Sequence, residues 1–506
     1  MINVTLNRTE FEYDIHSLLK AFFPKEDVGI YYTKEAKAEE KNVACTSHFA
    51  GNEGDATNHF VVTYGEDSIT VDWLEQKKIR FTVDFTDRNA VRNLLKRNLY
   101  LMLEEVLGTQ LPWGTLTGIR PVKIVMKMLE EGKSDAEILS CMKEIYFASE
   151  DKTALSIEIA KREQKLLSKL DYKNGYSLYI GIPFCPSTCL YCSFTSYPLA
   201  AWENQVDAYL DALEKEIAYT AAAFADKKLN AVYIGGGTPT TLKPYQLKRL
   251  IGKLQDSFDF GHCLEFTVEA GRPDSVTEDK LSVLREHGID RISINPQTMK
   301  QETLNLIGRH HTVEQTVESF WLARKMGFDN INMDLILGLP GEDINDVRNT
   351  LEEITKLAPD SLTVHSLAVK RAAGLNIYKE HYEKMRMENT AEHMDLCREY
   401  CRQMELFPYY LYRQKGMAGN MENVGYAKEG KAGVYNILIM EEKQTIVALG
   451  AGASTKYVRQ NMPEKEMERI LRAENVKDVR SYIERIDEMI ERKRKIFPFS
   501  STFYLG

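Results

Sequence analysis

From about residue 176 the chain alternates short apolar runs with amphipathic stretches, over and over. "YSLYIGI" precedes a helical pattern near 202–225, and "NAVYIGGG" precedes one near 244–257. "LEFTVEA" leads into "TEDKLSVLREHG", where Thr277 and Gly288 stand as helix caps. "DRISINPQ" is followed by a helical pattern near 313–326, "NINMDLILG" by one near 345–357, and "SLTVHSLA" closes the series. Near-continuous apolar strands separated by helices are buried on both faces, so they belong in a parallel sheet. The expected fold is α/β, a partial (β/α)6 barrel of the TIM type. Periodicity alone leaves an open doubly wound sheet as the alternative.

Each apolar run ends in chemically distinctive residues: the loop "GIPFCPSTCLYCSF", then "GGGTP", Glu269, "NPQ", "DLILGLPG" and "HSLA". Loops that follow parallel strands converge on one mouth, where barrels carry their function. One site accounts for these residues better than separate coincidences do. The repeat also divides the chain into an N-terminal α+β domain (1–165), a core (166–370) and a C-terminal, mostly helical α+β domain (371–506). In the first, "HFVVTYGEDSITVDWLE" predicts a hairpin and "KIRFTVDF" a further strand. Gly108 suits a helix C-cap, and Ser134 with Glu137 a capping box. In the last, "VYNILIM" reads as a strand, "ALGAGAST" as a second glycine-rich stretch, and 463–494 as a charged helical tail.

Cys185, Cys189 and Cys192 place three of the chain's 8 cysteines in one loop. A formal net charge of -9 argues against nucleic acid or an anionic membrane as a general partner. No apolar run is long enough to span a membrane, and "MINVTLNRTEFEYD" lacks the basic-then-apolar pattern of a secretion leader. The chain therefore reads as cytoplasmic, where thiols stay reduced and a tight cysteine cluster signals metal rather than disulfides. Structural zinc wants four ligands, usually as two separated pairs, and this loop has no fourth Cys or His. Thiolates are the usual ligands of iron–sulfur clusters. Three of them at a strand end can hold a cubane and leave one iron for an exogenous ligand. Zinc is the competing occupant. Cys45, Cys141 and Cys263 stand apart and are expected not to be ligands.

C-x3-C-x2-C after a strand, followed by "GGGTP", resembles the radical S-adenosylmethionine (SAM) superfamily. "LYIGIPFC", "CLYC", "GGGTPT", "DLILGLPG" and "IGRHH" resemble the oxygen-independent coproporphyrinogen III oxidases. "WGTLTGIRP" is similar to their coproporphyrinogen dehydrogenase branch, which has a long N-terminal extension. The resemblance implies a [4Fe-4S] cluster on the three cysteines and one or two SAM molecules. It implies that Tyr179, Gly236 and Glu269 surround the first SAM. Around a second SAM it implies Tyr191, Gly237, Thr238, Gln297, Arg309, Asp334 and Ala368. The residues also admit plainer roles. A glycine triplet such as 235–237 allows close backbone approach but is more often a turn. Glu269 suits a surface salt bridge, Tyr179 a packed core, and Arg309 a structural pair with Asp334, which is read as ending a buried strand. The sequence departs from the family at Gly181, where a histidine is usual, and at Phe194, where a further cysteine is usual.

The implied reaction turns two propionates of coproporphyrinogen III into vinyls, with an external electron donor and acceptor. Because that substrate carries four carboxylates, Lys370, Arg371, Arg413 and Lys415 are candidates to hold it. The plainer role for each is a solvated surface charge. Two competing functions are a haem chaperone on the same scaffold and a radical SAM methyltransferase that opens the haem ring. The chaperones carry a C-terminal histidine motif, and this chain has no histidine after His393.

Overall fold

The computed structural model describes residues 1–24, 26–33, 58–118, 120–368, 373–377, 385, 387–413, 421–463 and 469–497. They form two compact units, Met1–Glu158 with Arg413, and Ile159–Tyr412 with the described residues from Met421 onward.

In the first unit, β1 (Ile2–Leu6) lies parallel to both of its neighbours, β2 (Val28–Tyr32) and β3 (Asn58–Tyr64). The hairpin expected at "YGED" is present. β3 pairs antiparallel with β4 (Ser68–Trp73), and the Gly65 N–H donates to the Ser68 carbonyl at 2.8 Å. β5 (Lys77–Thr82) completes a five-stranded sheet in the order β2-β1-β3-β4-β5. Phe60, Val62 and Tyr64 fall on one face of β3 and are buried there, as a period of two requires. The helix Arg88–Leu107 starts at Asp87, whose carboxylate accepts from the Asn89 and Ala90 N–H groups. It stops at Gly108, φ 64°, in the left-handed region. The Ser134–Glu137 capping box also forms.

In the second unit the alternation expected from the sequence is realised. β6 (Gly175–Ile182), β7 (Lys228–Gly236), β8 (Glu265–Glu269), β9 (Arg291–Ser293), β10 (Ile331–Leu337) and β11 (Ser361–Ser366) pair parallel in chain order. Leu178, Ile180, Val232, Val268 and Ile292 are fully buried in this sheet. Each contributes roughly 1.5–3 kcal/mol by leaving water. Helices fill the intervals, among them Val206–Ala223, Pro244–Ser257, Glu278–Glu286, Val313–Lys325 and Ile344–Leu357. Thr277 caps Glu278–Glu286 by accepting from the Lys280 N–H, and Gly288 follows it in left-handed backbone.

Residues after 371 extend the same sheet at both ends. β12 (Phe407–Tyr412) pairs antiparallel with β13 (Asn423–Ala427), which pairs antiparallel with β11. At the other end β14 (Thr445–Leu449) lies parallel to β6, with Ala448 opposite Tyr179. β15 (Ser454–Val458) and β16 (Ile470–Glu474) follow antiparallel. The eleven strands run β12-β13-β11-β10-β9-β8-β7-β6-β14-β15-β16, and among the described residues no pairing joins the two ends. No described helix is long and apolar enough to cross a membrane.

Two local expectations are corrected. "VYNILIM" is a helix, Val434–Glu441, not a strand. An apolar run of that length suits either state. Here Tyr435, Leu438 and Glu441 are buried at helical spacing, and Glu442 (φ 51°) ends the helix in left-handed backbone. The tail is not continuously helical. It begins with β16, and only then come the helices Val479–Glu484 and Ile486–Arg494. Strand β16 is specified by its pairing with β15, which its charged residues do not announce.

The last helix closes a buried polar network. Glu216 and Lys493 are both fully buried and pair at 2.5 Å. The Glu216 carboxylate also accepts from Asn475 Nδ2 (2.8 Å), Tyr482 Oη (2.6 Å) and the Gly450 N–H (2.9 Å). Four donors on two oxygens satisfy the carboxylate. Gly450 in turn abuts the end of β6, where a β-carbon on it would lie 2.5 Å from the Gly181 carbonyl oxygen.

Candidate functional site

The C-terminal ends of β6, β7 and β8 bring the expected residues together. Past β6 the chain makes a short pairing, Phe184–Cys185 with Tyr197–Pro198, and the loop between carries Cys189, Tyr191 and Cys192. The loop is tied down from several directions. The Leu190 N–H donates to the Ile307 carbonyl, Ser187 Oγ to the Gly308 carbonyl at 2.8 Å, and the Leu375 N–H to the Leu190 carbonyl. Cys185, Cys189 and Cys192 are free thiols, each partly buried. Burial pushes the Cys185 thiol up to about 11, with Cys189 and Cys192 adding to the rise and Thr238 Oγ1, 3.6 Å away, opposing it. The Cys192 thiol is raised too, again by burial first. Among the described residues, no three His, Cys, Asp or Glu side chains converge closely enough to share a single ion. A cubane binds each thiolate at a different iron, so its ligands need no common point.

Gly237 crosses directly behind the first cysteine. Its N–H donates to the Ile182 carbonyl at 2.7 Å. A β-carbon there would sit 2.6 Å from the Phe184 carbonyl oxygen and 3.0 Å from Cys185 Sγ. Gly236 has φ 107°, and a β-carbon on it would lie 3.2 Å from Tyr179 Oη. Glu269 reaches the same place from β8. Tyr233 Oη donates to its Oε1 at 2.5 Å, and burial pushes its carboxyl up to about 7. Tyr179 stacks on Tyr233 at 6.3 Å between centroids. Tyr179, Gly236 and Glu269 thus share one corner, and Glu269 makes no salt bridge there with any described residue.

Arg309 is 2 % exposed; its Nη1 donates to Tyr191 Oη at 3.0 Å and its Nη2 to the Gly271 and Asn295 carbonyls at 2.7 Å each. It does not pair with Asp334. That residue lies in the middle of β10 rather than at its end, and its carboxylate meets His365 Nε2 at 3.8 Å and Asn332 Nδ2 at 2.8 Å. Burial opposes its ionisation, but these neighbours and Thr363 outweigh burial and hold the carboxyl below its usual range. Gln297 occupies left-handed backbone at φ 67°, costly for a residue with a side chain. Its N–H donates to the Asp334 carbonyl. Gln297 Oε1, Asn295 Oδ1 and Arg309 Nε are buried and have no hydrogen-bond partner among the described residues. Ala368 follows β11.

The sequence reading missed Tyr233, which alternates onto the same face as Gly235, and Arg272, which follows Glu269 by three positions. It missed His311 too, a fully buried imidazole held down to about 3 by burial and by Arg309. Of the expected substrate residues, Arg413 is described. It is buried in the first unit, donates to the Leu116 carbonyl and lies over the Trp113 ring at 5.5 Å. Lys370, Arg371 and Lys415 lie outside the described residues.

Residues 179–354 match the model of the Radical SAM superfamily. Over 428 residues the chain is 41% identical to the oxygen-independent coproporphyrinogen-III oxidase-like protein HemZ of Bacillus subtilis, covering 83% of this chain and 84% of that one. The chain belongs to the radical SAM coproporphyrinogen oxidase family. Among solved structures it resembles coproporphyrinogen III oxidase (HemN) of Escherichia coli, a radical SAM enzyme. That match has TM-score 0.50 and 25% identity, and covers 65% of this chain and 73% of that one. The heme chaperone HemW of Bacillus subtilis is 39% identical over 198 residues, 38% of this chain and 51% of that protein.

As a family member the protein takes a [4Fe-4S] cluster and SAM. The donor set fits: three free thiols stand on one loop, backed by glycines whose missing β-carbons leave room for backbone approach. The unpartnered polar atoms of Asn295, Gln297 and Arg309 are ready acceptors and donors for a polar ligand.

Proposed function

We propose that the protein is an oxygen-independent coproporphyrinogen III oxidase that converts coproporphyrinogen III to protoporphyrinogen IX. The observation that carries the proposal is that Tyr179, Gly236 and Glu269 meet on three adjacent parallel strands, one residue from Gly237, which backs Cys185. The choice of tetrapyrrole is supported by likeness over most of the chain to an oxidase-like protein. When bound, cluster and SAM supply a 5′-deoxyadenosyl radical that removes one hydrogen atom. Each propionate then loses that hydrogen from its β-carbon, one carbon dioxide and one electron, leaving a vinyl group. The electron leaves to an external acceptor, and an external donor supplies the reducing electron.

The residues of the chain have distinct tasks in this scheme. Cys185, Cys189 and Cys192 hold the cluster as thiolates, and because burial favours the neutral Cys185 thiol, metal charge must draw its proton away. Gly236 and Glu269 hold the amino-acid or ribose part of SAM, with Tyr179 packed beside them. Tyr191, Gly237, Thr238, Gln297, Arg309, Asp334 and Ala368 border a second SAM position, where the unpaired Gln297 Oε1 and Arg309 Nε offer hydrogen bonds. Arg371 and Lys415 are the cations offered for substrate carboxylates, whereas Arg413, buried against Leu116 and Trp113 in the first unit, is occupied there.

The similarity to a heme chaperone favours a second reading, binding without turnover. Anaerobic incubation with SAM, a reductant, an electron acceptor and coproporphyrinogen III separates the two. The oxidase releases carbon dioxide, accumulates protoporphyrinogen IX and forms one 5′-deoxyadenosine per decarboxylation. Haem binding with no turnover would overturn the oxidase in favour of the chaperone, and methyl transfer to haem in favour of the ring-opening enzyme.

A further inference from the structure

Arg272 has no part in the scheme above, yet it is buried against the cysteine loop with 4 % exposure. Its guanidinium divides its donors between two sides. Nε and Nη2 hold the two carboxylate oxygens of Asp274 at 3.0 and 2.8 Å. Nη1 faces the other way, toward Ser187 Oγ at 3.1 Å, the Ser187 carbonyl at 3.5 Å and Cys189 Sγ at 3.8 Å. Ser187 is itself fastened to the Gly308 carbonyl. A bidentate pair fixes the plane of a guanidinium, so Asp274 aims the third nitrogen at the sulfur.

We propose that Arg272 is a positioning residue that holds a permanent positive charge against Cys189 and thereby raises the reduction potential of the cluster. The inference rests on Cys189 being a cluster ligand, as proposed above. Reduction adds one electron to the cluster, and some of that charge lies on the thiolate sulfurs. Net charge and hydrogen bonds at those sulfurs set the potential. A fixed cation that donates to one of them favours the reduced form. Asp274 opposes this in part, because its carboxylate lies on the far side of the same guanidinium.

Two substitutions should therefore shift the potential in opposite directions. Arg272→Gln removes the cation and leaves the Asp274 anion. Asp274→Asn removes the anion and leaves the cation. A role confined to bracing the loop would not reverse sign between them.

The test is an EPR-monitored redox titration of the anaerobically reconstituted full-length protein without SAM, alongside iron and sulfide analysis. For Arg272→Gln the expected result is at least a tenfold loss in the reduction equilibrium constant, a fall of about 59 mV for a one-electron couple. For Asp274→Asn a smaller rise is expected. Shifts of the same sign in both variants, or none in either at full cluster content, would overturn the assignment. Should Arg272→Gln hold no iron, Asp274→Asn decides alone: a rise supports the assignment and a fall or no change overturns it. A wild-type protein that binds no cluster would overturn the cluster reading and this inference with it, and iron analysis tells that failure from the other.

Discussion

Substituting Lys493 with Met removes the cation of the buried pair while keeping most of the apolar stem. Glu216 is then left with no ammonium opposite, although Asn475 Nδ2, Tyr482 Oη and the Gly450 N–H still donate to it. Removing one partner of a buried pair costs about 3–5 kcal/mol, and three surviving donors put the expected loss near the lower end, ~3 kcal/mol. Adding Glu216→Gln removes the stranded carboxylate, so the double variant should recover about 2 kcal/mol of that loss relative to Lys493→Met. Urea titrations of the apo protein followed by far-UV circular dichroism measure these differences. Hydrogen exchange over residues 446–455 adds a local readout, because the Gly450 N–H is one of the donors. That amide should lose protection in Lys493→Met. A Lys493→Met variant within 1 kcal/mol of wild type, with its Gly450 amide still protected, would refute the reasoning. So would a double variant less stable than both single ones.

The remaining predictions concern the mouth of the sheet. Cys189→Ala should lose the broad visible absorbance and most of the iron after anaerobic reconstitution, whereas Cys141→Ala and Cys263→Ala should keep both. Glu269→Gln should keep the cluster and bind SAM roughly ten- to a hundredfold more weakly by anaerobic titration, the range for a lost charge-assisted hydrogen bond. Burial raises the Glu269 carboxyl to about 7, so it is mostly neutral at pH 6 and mostly ionised at pH 8. Wild-type SAM affinity should therefore drop about tenfold from pH 8 to pH 6, and that step should be missing in the Gln variant. Without ligand the sign reverses. The folded carboxyl keeps its proton where the unfolded one has lost it, so stability contributed by Glu269 falls as pH rises from about 4.5 to about 7. Gly237→Ala puts a methyl 2.6 Å from the Phe184 carbonyl oxygen and 3.0 Å from Cys185 Sγ, so iron retention should fall even though every ligand is present.

Where local chemistry dictates structure, the residues themselves announced it. Apolar strands and the helix caps at Thr277 and Ser134 needed only neighbours within a few positions. What escaped was held by distant partners. Glu216 and Lys493 are 277 positions apart, and each alone looks like a charge on a helix face. β14 is an ordinary five-residue apolar run whose place beside β6 comes from tertiary pairing. "VYNILIM" went the other way because an uninterrupted apolar segment has no period to read. At the site, Glu269 and the cysteines stood out by residue type and position. Arg272 did not, because "GRPD" resembles any polar turn until Ser187 and Cys189 are seen beside it.

Strand β14 also bears on what this radical module is as a heritable unit. The span matched by the superfamily, 179–354, stops before β11 and β14. A chain trimmed to it would bare the hydrogen-bonding rows of β6 on one side and β10 on the other. Raw strand edges of this kind recruit other chains and aggregate. The piece that could be transplanted, duplicated or fused as a working whole is therefore larger than its motifs suggest. It must carry strands from both flanks and the last described helix, whose Lys493 pairs with Glu216, the carboxylate that holds the Gly450 N–H against Gly181.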